Sequence, residues 1–366
     1  MMRVKLKDIT NYSKGSQINR DILLENGKYI YLNGGINPSG KWNAYNVSSK
    51  TITISEGGNS SGYINYITEP FWCGAHCYYL FDGPKNTKYL YYALKSQQER
   101  LFKIRSGACM PNIKKKDLGN FEFEFDFNEK IQIKIVSILD ECNKIINNYK
   151  LELELLDELV KARFVELFGD PATNEYNWPM LNLENVSSII TYGLTVRPTY
   201  VNKGIDLISA RELHKGFIEY EVAPKISFND FQSLSDKGKP LKNDILFSKT
   251  GSIGHCALVD TDKMFAITQN AARLGLIIEK VNPVWLLYYL RMNYIQDWCK
   301  RHAKGNAVKD LQLKDIKAIP LFECPLELQN QFADFVKEVD KSRLEVQKSL
   351  KKTQELFDSL MQKYFG

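Results

Sequence analysis

Apolar residues between positions 129 and 169 fall at Ile131, Ile135, Ile138, Cys142, Ile145, Tyr149, Leu153, Leu156, Val160, Phe164 and Leu167. Every step is three or four residues, the mark of a long helix that buries a narrow stripe. At Ile145, Tyr149 and Leu153 a step of four follows a step of four, a stutter of the kind that locally unwinds a coiled coil. Shifted by 197 residues, the same positions read Leu328, Phe332, Phe335, Val339, Ser342, Val346, Leu350, Thr353, Phe357, Met361 and Tyr364. The stutter returns at Val346 and Leu350. Identities fall at Gln132/Gln329, Lys144/Lys341, Leu153/Leu350, Glu158/Glu355 and Leu159/Leu356. Both stretches end in Phe-Gly, at Phe168-Gly169 and Phe365-Gly366. A shared defect in two helices points to an internal duplication.

A helix of this length measures roughly 60 Å. The second stripe needs cover of equal length and matching irregularity, and within the chain the first helix alone offers it. Packed antiparallel, the pair forms a coiled-coil rod with a domain at each end and an approximate two-fold axis between the copies.

The segments between the helices read as mixed strands and turns. Before the first helix, Tyr29-Ile30-Tyr31-Leu32, Thr51-Ile52-Thr53-Ile54, Tyr63-Ile64-Asn65-Tyr66-Ile67 and Cys77-Tyr78-Tyr79-Leu80 have the β-branched and aromatic content of strands. Glycine-rich turns separate them, as at Gly57-Gly58-Asn59-Ser60-Ser61-Gly62. A helix is expected at about 88–104, and Phe121-Glu122-Phe123-Glu124-Phe125-Asp126-Phe127 alternates as a strand with one dry face. After the Gly169-Asp170-Pro171 stop, strands are expected at 244–248, 257–259 and 274–278, and a helix at about 284–302. An offset of 198 pairs Tyr91 with Tyr289, Gly107 with Gly305, and Lys116-Asp117-Leu118 with Lys314-Asp315-Ile316. Upstream of residue 88 the match is loose, with Leu6 and Ile9 set against Leu183 and Val186. The domain plan is 1–127, a first variable domain; 128–169, the first long helix; 170–324, a second variable domain; and 325–366, the second long helix.

At 366 residues, 44% hydrophobic and 25% charged, the chain has ample material for two folded domains. Its longest apolar run, around 284–290, is too short to span a bilayer, so no membrane partner is expected. The N-terminus lacks an apolar signal core, which places the expected location in the cytoplasm. Seven scattered cysteines, Cys109 among them, with no Cys-x-x-Cys pair argue against a disulfide framework and a zinc site.

Catalytic motifs are missing. No phosphate-cradling glycine loop ending in Lys-Ser/Thr, no Gly-x-Gly-x-x-Gly and no His-Glu-x-x-His occurs. Asn282-Pro283-Val284-Trp285 is read as a helix start, where proline is at home, rather than as a methyltransferase motif. Asp315-Ile316-Lys317 is read as structural, since its repeat partner Asp117-Leu118-Gly119 has no lysine. No catalytic residue, metal ligand or cofactor is assigned. What recurs is basic: Arg100, Lys103, Arg105, Lys114, Lys115 and Lys116 before the first long helix, and Arg291, Lys300, Arg301, Lys304 and Lys309 before the second. With a net charge of +6, such clusters suit the phosphates of double-stranded DNA. Base readout needs Arg, Lys, Asn or Gln delivered from loops that differ between the halves. The candidates are Asn37, Lys41, Trp42, Asn43 and Asn59 in the first half, and Arg197, Arg211, Lys215, Lys249, Asn270 and Arg273 in the second. The DNA-binding set is Lys41, Trp42, Lys103, Arg105, Arg197, Arg211, Lys249, Arg273, Arg301 and Lys304.

Two variable regions alternating with two long-helix repeats resemble the specificity subunit of type I restriction–modification systems. Finer likenesses are Gly305-Asn306-Ala307 before Leu313-Lys314-Asp315-Ile316, the Pro325-Leu326-Glu327-Leu328-Gln329 helix opening, and Glu166-Leu167-Phe168-Gly169-Asp170. Where the family tends to have a proline before Glu-Gln, the first helix opens Asn128-Glu129-Lys130-Ile131-Gln132. The resemblance implies an α+β protein: two mixed α/β target recognition domains separated by two long antiparallel helices, with an internal pseudo-two-fold repeat. It implies that each domain binds one half of a bipartite DNA target and that the rod sets the spacer and docks methyltransferase (modification) subunits. A restriction/translocase subunit would join through the complex, and the chain itself would be non-catalytic, cofactors belonging to its partners. The alternative is a DNA adenine methyltransferase with its own recognition domain, which requires a parallel cofactor-binding sheet.

Overall fold

The computed structural model describes residues 1–107 and 110–366, so Cys109 lies outside the described residues. The chain divides into two compact units, Met1–Leu151 with Gln347–Gly366, and Glu152–Val346.

Unit 1 contains β1 (Met2–Lys5), α1 (Leu6–Ile9), β2 (Asn11–Lys14), β3 (Tyr29–Leu32), β4 (Gly40–Trp42), β5 (Thr51–Ser55), β6 (Ile64–Ile67), β7 (Trp72–Cys73), β8 (Cys77–Phe81), α2 (Thr87–Ser96), α3 (Gln98–Lys103), α4 (Lys115–Gly119) and β9 (Glu122–Phe125). The first long helix, α5 (Glu129–Phe168), begins here and ends in unit 2. Its strands form an antiparallel sheet ordered β2-β8-β5-β6, a smaller sheet β4-β3-β7 with β3 and β7 parallel, and the pair β1-β9.

Unit 2 contains β10 (Met180–Asn182), β11 (Ser187–Tyr192), β12 (Tyr200–Val201), β13 (Ile205–Ile208), β14 (Lys225–Ile226), α6 (Phe228–Ser233), β15 (Ile245–Ser248), β16 (Cys256–Leu258), β17 (Phe265–Ile267), β18 (Ala271–Leu276), α7 (Pro283–Arg291), α8 (Asn293–His302), α9 (Leu313–Lys317) and β19 (Pro320–Phe322). The second long helix, α10 (Leu326–Phe365), follows. The sheets repeat those of unit 1: an antiparallel β11-β18-β15-β16, a smaller β12-β14-β13-β17 in which β13 and β17 run parallel, and the pair β10-β19. The β2-β8-β5-β6 and β11-β18-β15-β16 sheets are wholly antiparallel. They are not the parallel sheet that the methyltransferase alternative requires, so the fold does not support that alternative.

The duplication therefore reaches through the variable domains, further than sequence identity showed. Leu6 and Leu183 open one-turn segments after β1 and β10, both fully buried, and their amides donate to the carbonyls of Phe121 and Ile319. At α2 and α7 the register differs from the 198-residue match. Asn86 caps α2 and Asn282 caps α7, each side chain accepting main-chain amides of the first turn. This sets Tyr89 against Trp285, and Tyr91 is not the counterpart of Tyr289. Tyr89 packs its ring 5.2 Å from Phe125 and 5.3 Å from Phe365, and Trp285 lies 5.7 Å from Phe168.

Within each unit the long helices run antiparallel. In unit 1, Ile135 and Leu139 near the start of α5 share a core with Phe357, Leu360, Met361 and Phe365 at the end of α10. In unit 2, Val160, Phe164 and Phe168 at the end of α5 share a core with Phe332, Val336 and Val339 near the start of α10. The buried line differs in detail from the apolar stripe. Ile131 is exposed and Gln132 buried, and Phe168 rather than Leu167 is fully covered. A purely apolar count misses the glutamines because each is satisfied. Gln132 donates to the Asp126 carbonyl at 2.6 Å, and Gln329 donates to that of Cys324 at 3.0 Å and accepts the amide of Asn282 at 2.8 Å.

The six described cysteines are buried free thiols. Among the described residues no helix is long and apolar enough to cross a membrane.

Candidate nucleic-acid interface

In unit 2 the loops leaving β11, β15 and α8 and the loop entering β18 meet at one end of the β11-β18-β15-β16 sheet. Main-chain hydrogen bonds join them: Lys249 to Asn270, Gly251 to Lys309, Leu311 to Lys249, Gln269 to Leu194, and Lys304 with Asp310 in both directions at 2.8 Å. Unit 1 repeats all of these bonds except that of Gln269 with Leu194. Glu56 donates to His76, Gly58 to Pro111 and Ile113 to Glu56, while Ser106 and Asn112 pair in both directions. In both units the outer loop turns through a glycine with positive φ, Gly107 at +97° and Gly305 at +104°. A Cβ on Gly305 would come 2.2 Å from the Val308 carbonyl oxygen, so only glycine fits the turn.

The shared scaffold carries different side chains. Glu56 in unit 1 is buried and paired with Lys14, with His76 Nδ1 at 3.7 Å. At the matching place in unit 2 stands Lys249, whose Nζ lies 2.6 Å from Asp310 Oδ1 and 5.9 Å from the Tyr192 ring centroid. Thr250 Oγ1 donates to the same carboxylate oxygen at 2.6 Å. Partial burial pushes the Asp310 carboxyl up, but the hydrogen bonds from Lys249 and Thr250 outweigh it and leave Asp310 below the ordinary carboxylate range.

The sequence candidates divide. Lys249, Asn270 and Lys304 are brought together at this loop end, with Arg197 exposed on the loop after β11 and Arg301 exposed at the end of α8. In unit 1, Lys103 is exposed at the end of α3; Arg105 lies over the Phe102 ring and donates to the Asn59 carbonyl at 3.5 Å. Lys41 and Trp42 stand on β4 in the smaller sheet, Lys41 beside a shallow cleft of about 450 Å³; Asn43 accepts the Lys28 amide. Asn37 is exposed in the turn between β3 and β4. Arg211 is exposed after β13, with its Nε on the buried Glu212 carboxylate at 2.8 Å, and Lys215 pairs with Glu219 at 2.6 Å.

Arg273 departs from expectation. It is 6% exposed, donates to Asp244 at 2.6 Å and reaches the Asp236 carbonyl at 2.8 Å, so its guanidinium is enclosed within the fold. An arginine inside a strand pattern looks the same in sequence whether it faces solvent or core. Lys14, Glu56, His76 and Asp310 escaped the sequence reading. The Gly107/Gly305 match was the signal that could have led to Asp310.

Asp315 has one buried carboxylate oxygen without a hydrogen-bond partner. Among the described residues no three His, Cys, Asp or Glu side chains are grouped to hold a metal ion.

Comparison with known proteins gives this geometry its context. The family described as "Type I restriction modification DNA specificity domain" matches residues 1–156 and 196–356. A putative type I specificity subunit of Mycoplasma genitalium is 29% identical over 191 residues, 51% of this chain and 50% of that protein. The EcoBI type I restriction enzyme specificity subunit of Escherichia coli is 26% identical over 188 residues, 50% of this chain and 40% of that protein. The chain thus spans about half the length of the curated relatives it matches. In fold it is similar to the crystal structure of a type I restriction–modification S subunit from M. genitalium, with a TM-score of 0.64 at 21% identity, covering 100% of this chain and 96% of that one. The family match covers most of both repeats, and the chain belongs to the type I restriction–modification DNA specificity domain family.

Proposed function

We propose that this chain is a DNA sequence-recognition subunit of a type I restriction–modification complex, in which each unit binds one half of a bipartite duplex target. The observation that carries this reading is the repeated loop end: one hydrogen-bonded frame, occupied by Lys14, Glu56 and His76 in unit 1 and by Tyr192 and Asn270 beside the Lys249–Asp310 pair in unit 2. A fixed frame with exchanged side chains suits two readers of different sequences, because phosphate contacts fix register while side chains at base edges discriminate. Arg197, Arg301 and Lys304 would serve unit 2 and Lys103 and Arg105 unit 1. Lys41, Trp42 and Arg211 would add contacts from outside this frame.

The long helices would set the interval between half-sites and dock methyltransferase subunits, through which a restriction/translocase subunit joins. Support comes from Leu155 and Leu159, exposed one turn apart on α5, since contiguous apolar surface marks interaction sites. The chain would act without catalysis of its own, in the cytoplasm. The test is to replace residues 171–304 with the corresponding segment of another family member and map methylated adenines genome-wide. One half of the modified sequence should change and the other stay. A change in both halves, or methylation that ignores the chain's presence, overturns the reading.

A further inference from the structure

The loop end of unit 2 holds an acid where a DNA-binding surface should be basic. Asp310 accepts from Lys249 Nζ and Thr250 Oγ1, both at 2.6 Å, while its main chain pairs with Lys304 in both directions. One residue thus fastens the turn after β15 to the loop after α8. On that loop Lys304 and Lys309 are exposed, and among the described residues neither has an ion-pair partner. The Gly251 amide donates to the Lys309 carbonyl at 2.8 Å, which fixes the backbone that carries the second lysine. Unit 1 has the neutral Asn112 in the same place, with the same main-chain pairing to Ser106. An uncompensated carboxylate beside a polyanion would only repel it. Here the carboxylate is neutralised by Lys249 and its role is geometric.

We propose that Lys304 and Lys309 form a sequence-neutral phosphate-binding site on unit 2, and that Asp310 is its positioning residue. This rests on the DNA-recognition reading and deepens it. It assigns Lys249, which the sequence offers as a base reader, to bracing the two loops, and it gives backbone contact to the lysines on either side of the brace. The proposal predicts a result of opposite sign from simple charge repulsion. Removing the acid should weaken DNA binding, although the protein becomes more positive.

The experiment measures binding of the full chain to two duplexes of unrelated sequence over a range of salt concentrations. In K304Q/K309Q the slope of log K against log[salt] should become shallower by about 2, roughly one per lost phosphate contact, and equally on both duplexes. D310A should bind roughly tenfold more weakly at low salt. D310N, which keeps a side-chain oxygen as Asn112 does in unit 1, should restore most of the affinity. Lys304 and Lys309 are exposed, so the double variant reports on binding even where D310A disturbs folding. An unchanged slope in K304Q/K309Q, or a loss confined to one duplex, overturns the phosphate site and leaves the DNA-recognition reading standing. Tighter binding by both D310A and D310N overturns the positioning role. A wild-type chain that binds neither duplex at low salt removes the reading and the inference together.

Discussion

Phe365 at the end of α10 lays its ring 5.3 Å from that of Tyr89 on α2, and its carbonyl accepts the Gln97 side-chain amide at 3.1 Å. The core of unit 1 is therefore closed by residues from the far end of the sequence, as Phe168 closes unit 2 on Trp285. Phe365→Ala should destabilise unit 1 by about 3–5 kcal/mol, the usual range for a fully buried phenylalanine. Hydrogen exchange resolved by segment should show faster exchange over α2 and β9 with unit 2 protected as before. Phe168→Ala should reverse the pattern. Uniform loss of protection in both units from either substitution would contradict separate cores.

Gln132 and Gln329 make a sharper case, because sequence patterning alone invites an apolar replacement. Gln329→Leu would fill the same space but leave the Asn282 amide and Cys324 carbonyl unsatisfied. We expect a loss of about 1–3 kcal/mol for each orphaned group in the urea midpoint. A neutral or stabilising substitution would show that water or a shifted backbone replaces the glutamine.

Arg273 should behave as a core residue. Arg273→Ala leaves Asp244 buried without its cation, which costs about 3–5 kcal/mol. Its salt slope for DNA binding should match that of the wild type under conditions where the variant remains folded. A shallower slope would return Arg273 to the DNA surface.

Acid sensitivity should concentrate in unit 2. Burial pushes the Asp206 carboxyl up, but hydrogen bonds from Lys225 and Lys263 outweigh it and hold the group below its ordinary value. A depressed carboxylate gives stability that is full above its unfolded pKa, near 3.9, and is lost as pH falls through the lower folded value. Unfolding of unit 2 followed by pH titration should therefore show an acid limb below about pH 4. Asp206→Asn should flatten that limb. An unaltered limb would shift the cause to other carboxylates such as Glu212, also held low by Ser209 and Arg211 against the upward push of burial.

If the long helices set the spacer, inserting about four residues into each at matched positions adds roughly 6 Å. The gap between the two methylated half-sites should lengthen by about two base pairs, at roughly 3.4 Å per step. Unchanged spacing would exclude the helices as the measure of that gap.

Several features were readable directly from the residues. The α5 and α10 stripes, their shared stutter and the Phe-Gly ends announced two helices and a duplication, because helix periodicity is a local property of the chain. Most strand expectations in the first half hold, as at Tyr29–Leu32 and Thr51–Ser55, where β-branched and aromatic runs are bounded by turn residues. Strands β2, β11, β13 and β17 were not foreseen. They are short, and three-dimensional pairing rather than local composition makes them strands.

What the sequence by itself determined was the plan: two copies of one module, each made of a variable α/β domain and a long helix. Tertiary structure alone decided which side chains share a surface. It enclosed Arg273 with Asp244, set Lys249 against Asp310, and matched Glu56 to Lys249 across the repeat. The physical reason is that periodicity is written in neighbours along the chain. The partner of a charge is fixed by main-chain hydrogen bonds between loops distant in sequence, and no local pattern records them.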